Sequence, residues 1–242
     1  MQILNPQLDI SSRRHELQST RRIQLRDVLD ADLARSLAAH LAREQRWHLT
    51  TRVEGKGKTV PVAEFARWAP TQRQQFLERV HADARDGFQY LYLSYMMIRA
   101  YTEGWNPGSP LHAMTELLNT AEFLDLGRAL TGCGEIARAD CQATWYQPGH
   151  FLNVHNDFEP SEGRVAAYVL NLTPQWQSDW GGLLSFPDGE GKVVDRFYPH
   201  FNSLSVFLVP MLHLVSQVAP FATGTRWAIT GWFRLPPGNG ID

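Results

Sequence analysis

Residues Tyr146–Asp157 read YQPGHFLNVHND, and this stretch decides the fold. Pro148 and Gly149 punctuate it, and GHFLNVHND then reads as a strand. Alternate residues of a strand share a face, so His155 and Asp157 present an imidazole nitrogen and a carboxylate oxygen to one side. A second His-x-Asp pair, His81–Asp83, lies in a predicted helix. There a spacing of two is a rotation of about 200°, and the pair reads as solvated surface.

Outward from this stretch, short β-branched and aromatic runs alternate with Gly, Pro, Asp and Asn from residue 138 on. Strands are predicted near 139–146, 149–155, 164–172, 182–186, 192–197, 203–209, 212–218 and 225–234. Eight short strands over about 95 residues fit a jelly roll or a related sandwich.

The first half reads as helical. Leu29, Leu33, Leu37 and Leu41 recur every four residues behind a cap at Asp30. Thr71 with Gln74 has capping-box spacing and announces a second helix that stops at Gly87. Pro110–Leu130 reads as one broken helix or two short ones, ending at Gly132. FQYLYLSYMM, Phe88–Met97, is aromatic without a helical stripe and is read as buried and extended. EGKGK, Glu54–Lys58, reads as a hairpin tip, either a solvent loop or a flap over bound substrate.

The 242 residues are 43% hydrophobic and 20% charged, which fits one folded domain of class α+β. Residues 1–137 supply helical support and substrate-side elements, and 138–235 form the β core. A net charge of −2 without a long basic run argues against a nucleic-acid partner. Cys133 and Cys141 are too few for a disulfide framework, so a reducing cytoplasm is expected. The N-terminal residues carry no secretory pattern. The most apolar tract, Leu204–Leu212, is far short of the roughly 20 residues of a membrane span, so no membrane is expected.

His213 follows in MLHLVSQV, and Arg226 opens RWAITGWF. Alternation puts Arg226, Ala228, Thr230 and Trp232 on one strand face. An inward Arg followed by small residues reads as a carboxylate pocket, since the guanidinium fork matches a carboxylate bidentately. The order H-x-D, distal His, then Arg is that of a two-His-one-carboxylate iron site with an anion clamp.

At this point the sequence resembles the Fe(II)/2-oxoglutarate-dependent dioxygenases, in particular the prolyl 4-hydroxylase-like branch that acts on ribosomal proteins. The likeness covers about residues 141–234 and rests on six ordered blocks. They are YQPGHFLNVHND, GRVAAYVLNLTPQW (Gly163–Trp176), WGGLLSFP (Trp180–Pro187), FNSLSVF (Phe201–Phe207), HLVSQV (His213–Val218) and RWAITGWF (Arg226–Phe233). The resemblance implies a double-stranded β-helix, Fe(II), 2-oxoglutarate and O2, with ascorbate as a possible reductant. It implies iron ligation by His155, Asp157 and His213, and pairing of Arg226 with the distal carboxylate of 2-oxoglutarate. Tyr146 matches a tyrosine that contacts the cosubstrate. Relatives place a second Tyr where this chain has Val169; Tyr168, one step earlier, is a further candidate cosubstrate contact, although a shift of one residue turns a strand side chain to the other face.

Further readings are open at this stage. Asn153 shares parity with His155 and is a candidate for the iron pocket, and Thr230 shares it with Arg226. Trp176, Trp180 and Trp232 read as core aromatics, Gly181–Gly182 as a tight turn, and His150 and His200 as surface histidines. The expected reaction is hydroxylation of a prolyl residue in a protein or peptide. The alternatives are the same chemistry on a free amino acid or small metabolite, and a non-catalytic metal- or 2-oxoglutarate-binding module.

Overall fold

The structure, a computed structural model, describes residues 3–44 and 46–238. The N-terminal half begins with α1 (Ile10–Thr20), β1 (Arg22–Leu25) and α2 (Ala31–Leu41). The Asp30 carboxylate caps α2 by accepting from the backbone N–H groups of Asp32 and Leu33, as the leucine spacing behind it requires. Ala34, Leu37, Ala38 and Leu41 face the core. A hairpin follows, β2 (His48–Val53) and β3 (Lys56–Pro61), then α3 (Val62–Phe65), α4 (Pro70–Asp86), β4 (Tyr90–Tyr95) and α5 (Met97–Thr102). The broken helix resolves into α6 (Pro110–Leu117) and α7 (Ala121–Thr131), the second ended by left-handed Gly132.

The C-terminal half is strand after strand. It runs β5 (Arg138–Ala139), β6 (Gln142–Tyr146), β7 (Phe151–His155), β8 (Arg164–Asn171), β9 (Leu184–Pro187), β10 (Val193–Phe197), β11 (Ser203–Leu208), β12 (His213–Val215) and β13 (Arg226–Arg234). Every predicted run from 139 to 234 overlaps one of these strands.

The main hydrogen-bonded path is β1-β11-β8-β13-β6-β4-β7-β12-β9-β10. All its pairings are antiparallel, and it curls into a nearly closed barrel, a double-stranded β-helix. One wall is β11-β8-β13-β6 and the other is β7-β12-β9-β10. β4 joins them, its Leu93–Tyr95 end on β6 and its Tyr90–Leu91 end on β7. The main core lies outside the barrel, where β8 and β13 pack Tyr168 and Phe233 on Phe123 of α7.

The structure changes three readings of the first half. It is not simply helical, because β1 to β4 all join the barrel sheet. β1 alternates but is only four residues long, and β3 is an exposed edge carrying Lys56 and Lys58 without alternation, so both are weak strand signals. The tip of EGKGK is only Glu54–Gly55, both with positive φ, while Lys56–Lys58 belong to β3. Helix α4 starts one residue before Thr71, with Pro70 at its first position and Gln72 accepting from the Ala69 N–H. Its C-cap, Gly87, is extended rather than left-handed. Among the described residues, no helix is long and apolar enough to cross a membrane.

Candidate active site

His155 ends β7 and His213 opens β12, and the two are paired directly across the ladder. Their ring centroids are 4.0 Å apart. Asp157 lies beyond β7 with φ 59°, so a left-handed kink rather than strand alternation brings its carboxylate back to the histidines. Its Oδ1 is 3.1 Å from His155 Nε2, and its Oδ2 is 3.5 Å from His213 Nε2. One ligand atom from each residue fits within 4.8 Å of the others.

The second ring nitrogens set the tautomers. His155 Nδ1 faces the Asn153 carbonyl at 3.0 Å, and His213 Nδ1 faces the Met211 carbonyl at 2.8 Å. A carbonyl accepts only, so each Nδ1 carries the proton and each Nε2 keeps its lone pair. Burial, helped by the neighbouring His155, lowers the His213 pKa to about 4, so it is neutral at pH 7. For Asp157, burial favours the neutral form, but the two neighbouring imidazoles and the Trp232 N–H together outweigh it and lower the pKa. Two imidazoles that each present Nε2 and one carboxylate, held by outer hydrogen bonds, are a donor set that fits Fe(II).

The opposite end of the same cavity is set by Arg226. This residue pairs in register with Tyr146 across β13 and β6, and its guanidinium carbon is 4.6 Å from the Tyr146 ring centroid. Tyr146 in turn stacks on Tyr92 at 5.3 Å. Arg226 is 3% exposed, and its Nε has no hydrogen-bond partner. Among the described residues no carboxylate pairs with it. Burial lowers its pKa, yet a guanidinium stays charged in any protein interior. A buried cation without an anion is costly, so this end is built for an anionic ligand. Gly181 and Gly182 both have positive φ. A Cβ on Gly182 would press on the Arg226 stem at 3.0 Å, and one on Gly181 would overlap the Gln217 carbonyl at 2.1 Å. The cavity measures about 540 Å³, which suits a small ligand.

Both histidines, Asp157, Arg226, Tyr146 and Thr230 line this cavity. Asn153 does not: its side chain turns outward and donates to the Ala84 carbonyl at the end of α4 at 3.0 Å. Leu152 pairs with Val215 and His155 with His213, so three steps on β7 match two on β12. That bulge breaks the parity that linked Asn153 to His155. Tyr168 also points away from the cavity interior, fully buried on the helical side with its hydroxyl donating to the Asp140 carbonyl at 2.7 Å. Tyr168 nevertheless borders the cavity, with its hydroxyl engaged on Asp140. His150 is buried, not at the surface: its Nδ1 accepts from the Gln147 N–H at 3.1 Å. His200 is exposed, and Asp83 pairs with Arg79 rather than His81. Trp176 and Trp180 pack against each other in the small cluster with Tyr146 and Val218. Tyr92, which supports Tyr146, escaped the sequence reading because its role depends on the curl of β4. Trp232 is no plain core aromatic, since its indole N–H donates to Asp157 Oδ2 at 2.9 Å.

Fold and site together are those of a double-stranded β-helix with a two-His-one-carboxylate cluster and a buried arginine around one cavity. Residues 141–234 match the model of the 2OG-Fe(II) oxygenase superfamily, whose chemistry uses Fe(II), 2-oxoglutarate and O2. The chain is 28% identical over 173 residues to prolyl 3-hydroxylase OGFOD1 of Mus musculus, covering 68% of this chain and 31% of that protein. It is 34% identical over 93 residues to the Xenopus laevis protein of the same name, covering 34% of this chain and 18% of that one. It therefore spans about a third or less of the length of these curated relatives. In fold it is similar to a Pseudomonas putida prolyl-4-hydroxylase, with TM-score 0.59 and 22% identity over 94% of this chain and 99% of that one. A Trichoplax adhaerens prolyl hydroxylase, solved with a hypoxia inducible factor peptide fragment, gives TM-score 0.59 and 19% identity over 91% and 86% of the two chains.

Proposed function

We propose that this protein hydroxylates a prolyl residue of a polypeptide, using 2-oxoglutarate as cosubstrate. The observation that carries the reading is one cavity with a two-His-one-carboxylate cluster at one end and a buried, carboxylate-free Arg226 at the other. His155, Asp157 and His213 would hold the iron, which when bound supplies open coordination positions and the redox chemistry that couples cosubstrate decarboxylation to substrate oxidation. Arg226 receives the distal carboxylate through its planar fork, and the Tyr146 ring fixes the guanidinium plane. Thr230 and Gln142 supply polar atoms on the wall between the two ends. Leu184, Val215 and Phe207 add apolar surface to the lining, which limits water beside the reacting groups.

A polypeptide substrate is favoured by the names of the relatives and by the cavity mouth. Phe88 stacks on His155 with centroids 4.9 Å apart and is 38% exposed, and Phe158 on the far rim is 56% exposed. Exposed aromatics beside a catalytic cavity suit an extended chain. Two free cysteines suit the reducing cytoplasm we assign to it.

The test is mass spectrometry of host proteins with the gene intact, deleted, or restored as Asp157→Ala. A prolyl residue that gains one oxygen only with the intact gene is the expected result. Turnover of a free amino acid or metabolite without any modified polypeptide would overturn the substrate class. Metal and 2-oxoglutarate binding without succinate release, with any host extract, would overturn catalysis itself.

A further inference from the structure

We propose that Trp232 and Arg164 form a clamp that positions Asp157 as a metal ligand and thereby sets the metal affinity of the site. The inference rests on the triad reading above. Asp157 takes a left-handed conformation outside any strand, which a non-glycine residue adopts only with local support. Support comes from two sides. The Trp232 indole N–H donates to Oδ2 at 2.9 Å, and Arg164 Nη1 donates to the Asp157 backbone carbonyl at 3.0 Å.

The two supports also hold each other. The Arg164 guanidinium carbon lies 3.9 Å from the Trp232 ring centroid, a close cation–π contact. Glu162 anchors Arg164, accepting from Nε at 2.8 Å and pairing with Nη2 at 2.6 Å. Arg234 bridges Glu162 and Asp140 at 3.0 and 2.8 Å, and Asp140 Oδ1 accepts from the Trp232 backbone N–H at 2.7 Å. The clamp thus ties the Asp157 loop to the end of β13.

An indole N–H donates without carrying charge. It can occupy one oxygen of the carboxylate and leave the anion intact for a metal. Oδ2 carries that bond, while Oδ1 faces His155 Nε2. Outer partners of this kind fix ligand orientation, and their loss weakens metal binding by about 10–100-fold.

The experiment titrates Co(II) into the full chain and reads affinity and visible absorption, with no turnover needed. Trp232→Phe keeps an aromatic ring beneath Arg164 and removes the N–H together with part of the indole. It is expected to weaken Co(II) binding by about 10–100-fold and shift the absorption bands, while the metal-free protein still unfolds cooperatively. Arg164→Met removes the backbone hold and should move affinity in the same direction without touching a ligand. Wild-type Co(II) affinity and spectrum in both variants, with binding lost in Asp157→Ala, would overturn the clamp and leave the triad intact. Retention of Co(II) by Asp157→Ala would overturn the triad reading and the clamp with it.

Discussion

The two ends of the cavity are finished to different degrees. At the His155–Asp157–His213 end, each Nδ1 has a carbonyl and the carboxylate has an indole donor before any metal is considered. At the Arg226 end, among the described residues, the Nε has no hydrogen-bond partner and the cation lies over the Tyr146 face. The first end is preorganised, so a metal meets oriented ligands and little side-chain freedom is left to lose. The second is incomplete as a protein interior and becomes satisfied only with an anion in place.

The largest effect should come from breaking the finished end. Asp157→Ala removes the one negative charge among the three donors and leaves the Trp232 N–H without its acceptor. The purified variant should retain no stoichiometric Fe(II), measured by metal analysis after anaerobic loading. Full occupancy in this variant and in His155→Ala and His213→Ala would remove the assignment.

Breaking the incomplete end should act on the cosubstrate instead. Losing one partner of a buried, charge-assisted pair costs about 2–5 kcal/mol. In affinity this is roughly 30- to several-thousand-fold. Arg226→Ala should therefore weaken 2-oxoglutarate binding by that factor while metal loading stays near wild type. Arg226→Lys should recover part of the loss, because an ammonium keeps the charge and loses the fork. Calorimetric titration of 2-oxoglutarate against the three proteins decides it, and equal dissociation constants would remove the anion role.

His150 sits in the turn that links Tyr146 of the anion end to the β7 strand of the metal end. Burial lowers its pKa to about 4, with a backbone hydrogen bond opposing the shift. The unfolded chain takes up a proton as pH falls through about 6.5, whereas the folded chain refuses it until about 4. Stability is therefore lost on acidification across that window, by about 3 kcal/mol from this residue at 1.36 kcal/mol per pH unit. Urea unfolding from pH 7 to 4.5 should show a shallower slope for His150→Gln. An unchanged slope would place the acid sensitivity elsewhere.

How far this asymmetry was legible follows from what each residue's position depends on. Type, order and spacing single out His155, Asp157, His213 and Arg226, and the structure brings all four around one cavity. The strands of the C-terminal half were found because they are apolar runs between Gly, Pro and Asp. Positions that depend on register were lost. β1 and β3 join the sheet through pairing with β11 and β2; RIQL alternates over only four residues, and KGKTVP does not alternate. Trp232 was placed on the correct face of β13, but its partner was hidden. The carboxylate reaches it through the left-handed Asp157, a backbone state that spacing alone does not report.

Asn153 isolates this last point with the smallest expected effect. Alternation put it beside His155, in the cavity. The β7 bulge puts it outside, where its amide donates to carbonyls at the end of α4, 3.0 Å to Ala84 and 3.4 Å to Gly87. Those carbonyls lie at a helix C-terminus, where partners within the helix run out. Asn153→Ala should thus cost about 1 kcal/mol of stability, the net worth of a typical hydrogen bond. Iron and 2-oxoglutarate affinities should stay at wild-type values, because no atom of the cavity wall changes. A chemical denaturation curve and the two titrations, run on one preparation, separate the alternatives. A fall in either affinity without loss of stability would return Asn153 to the cavity and undo the bulge as the reason for its placement.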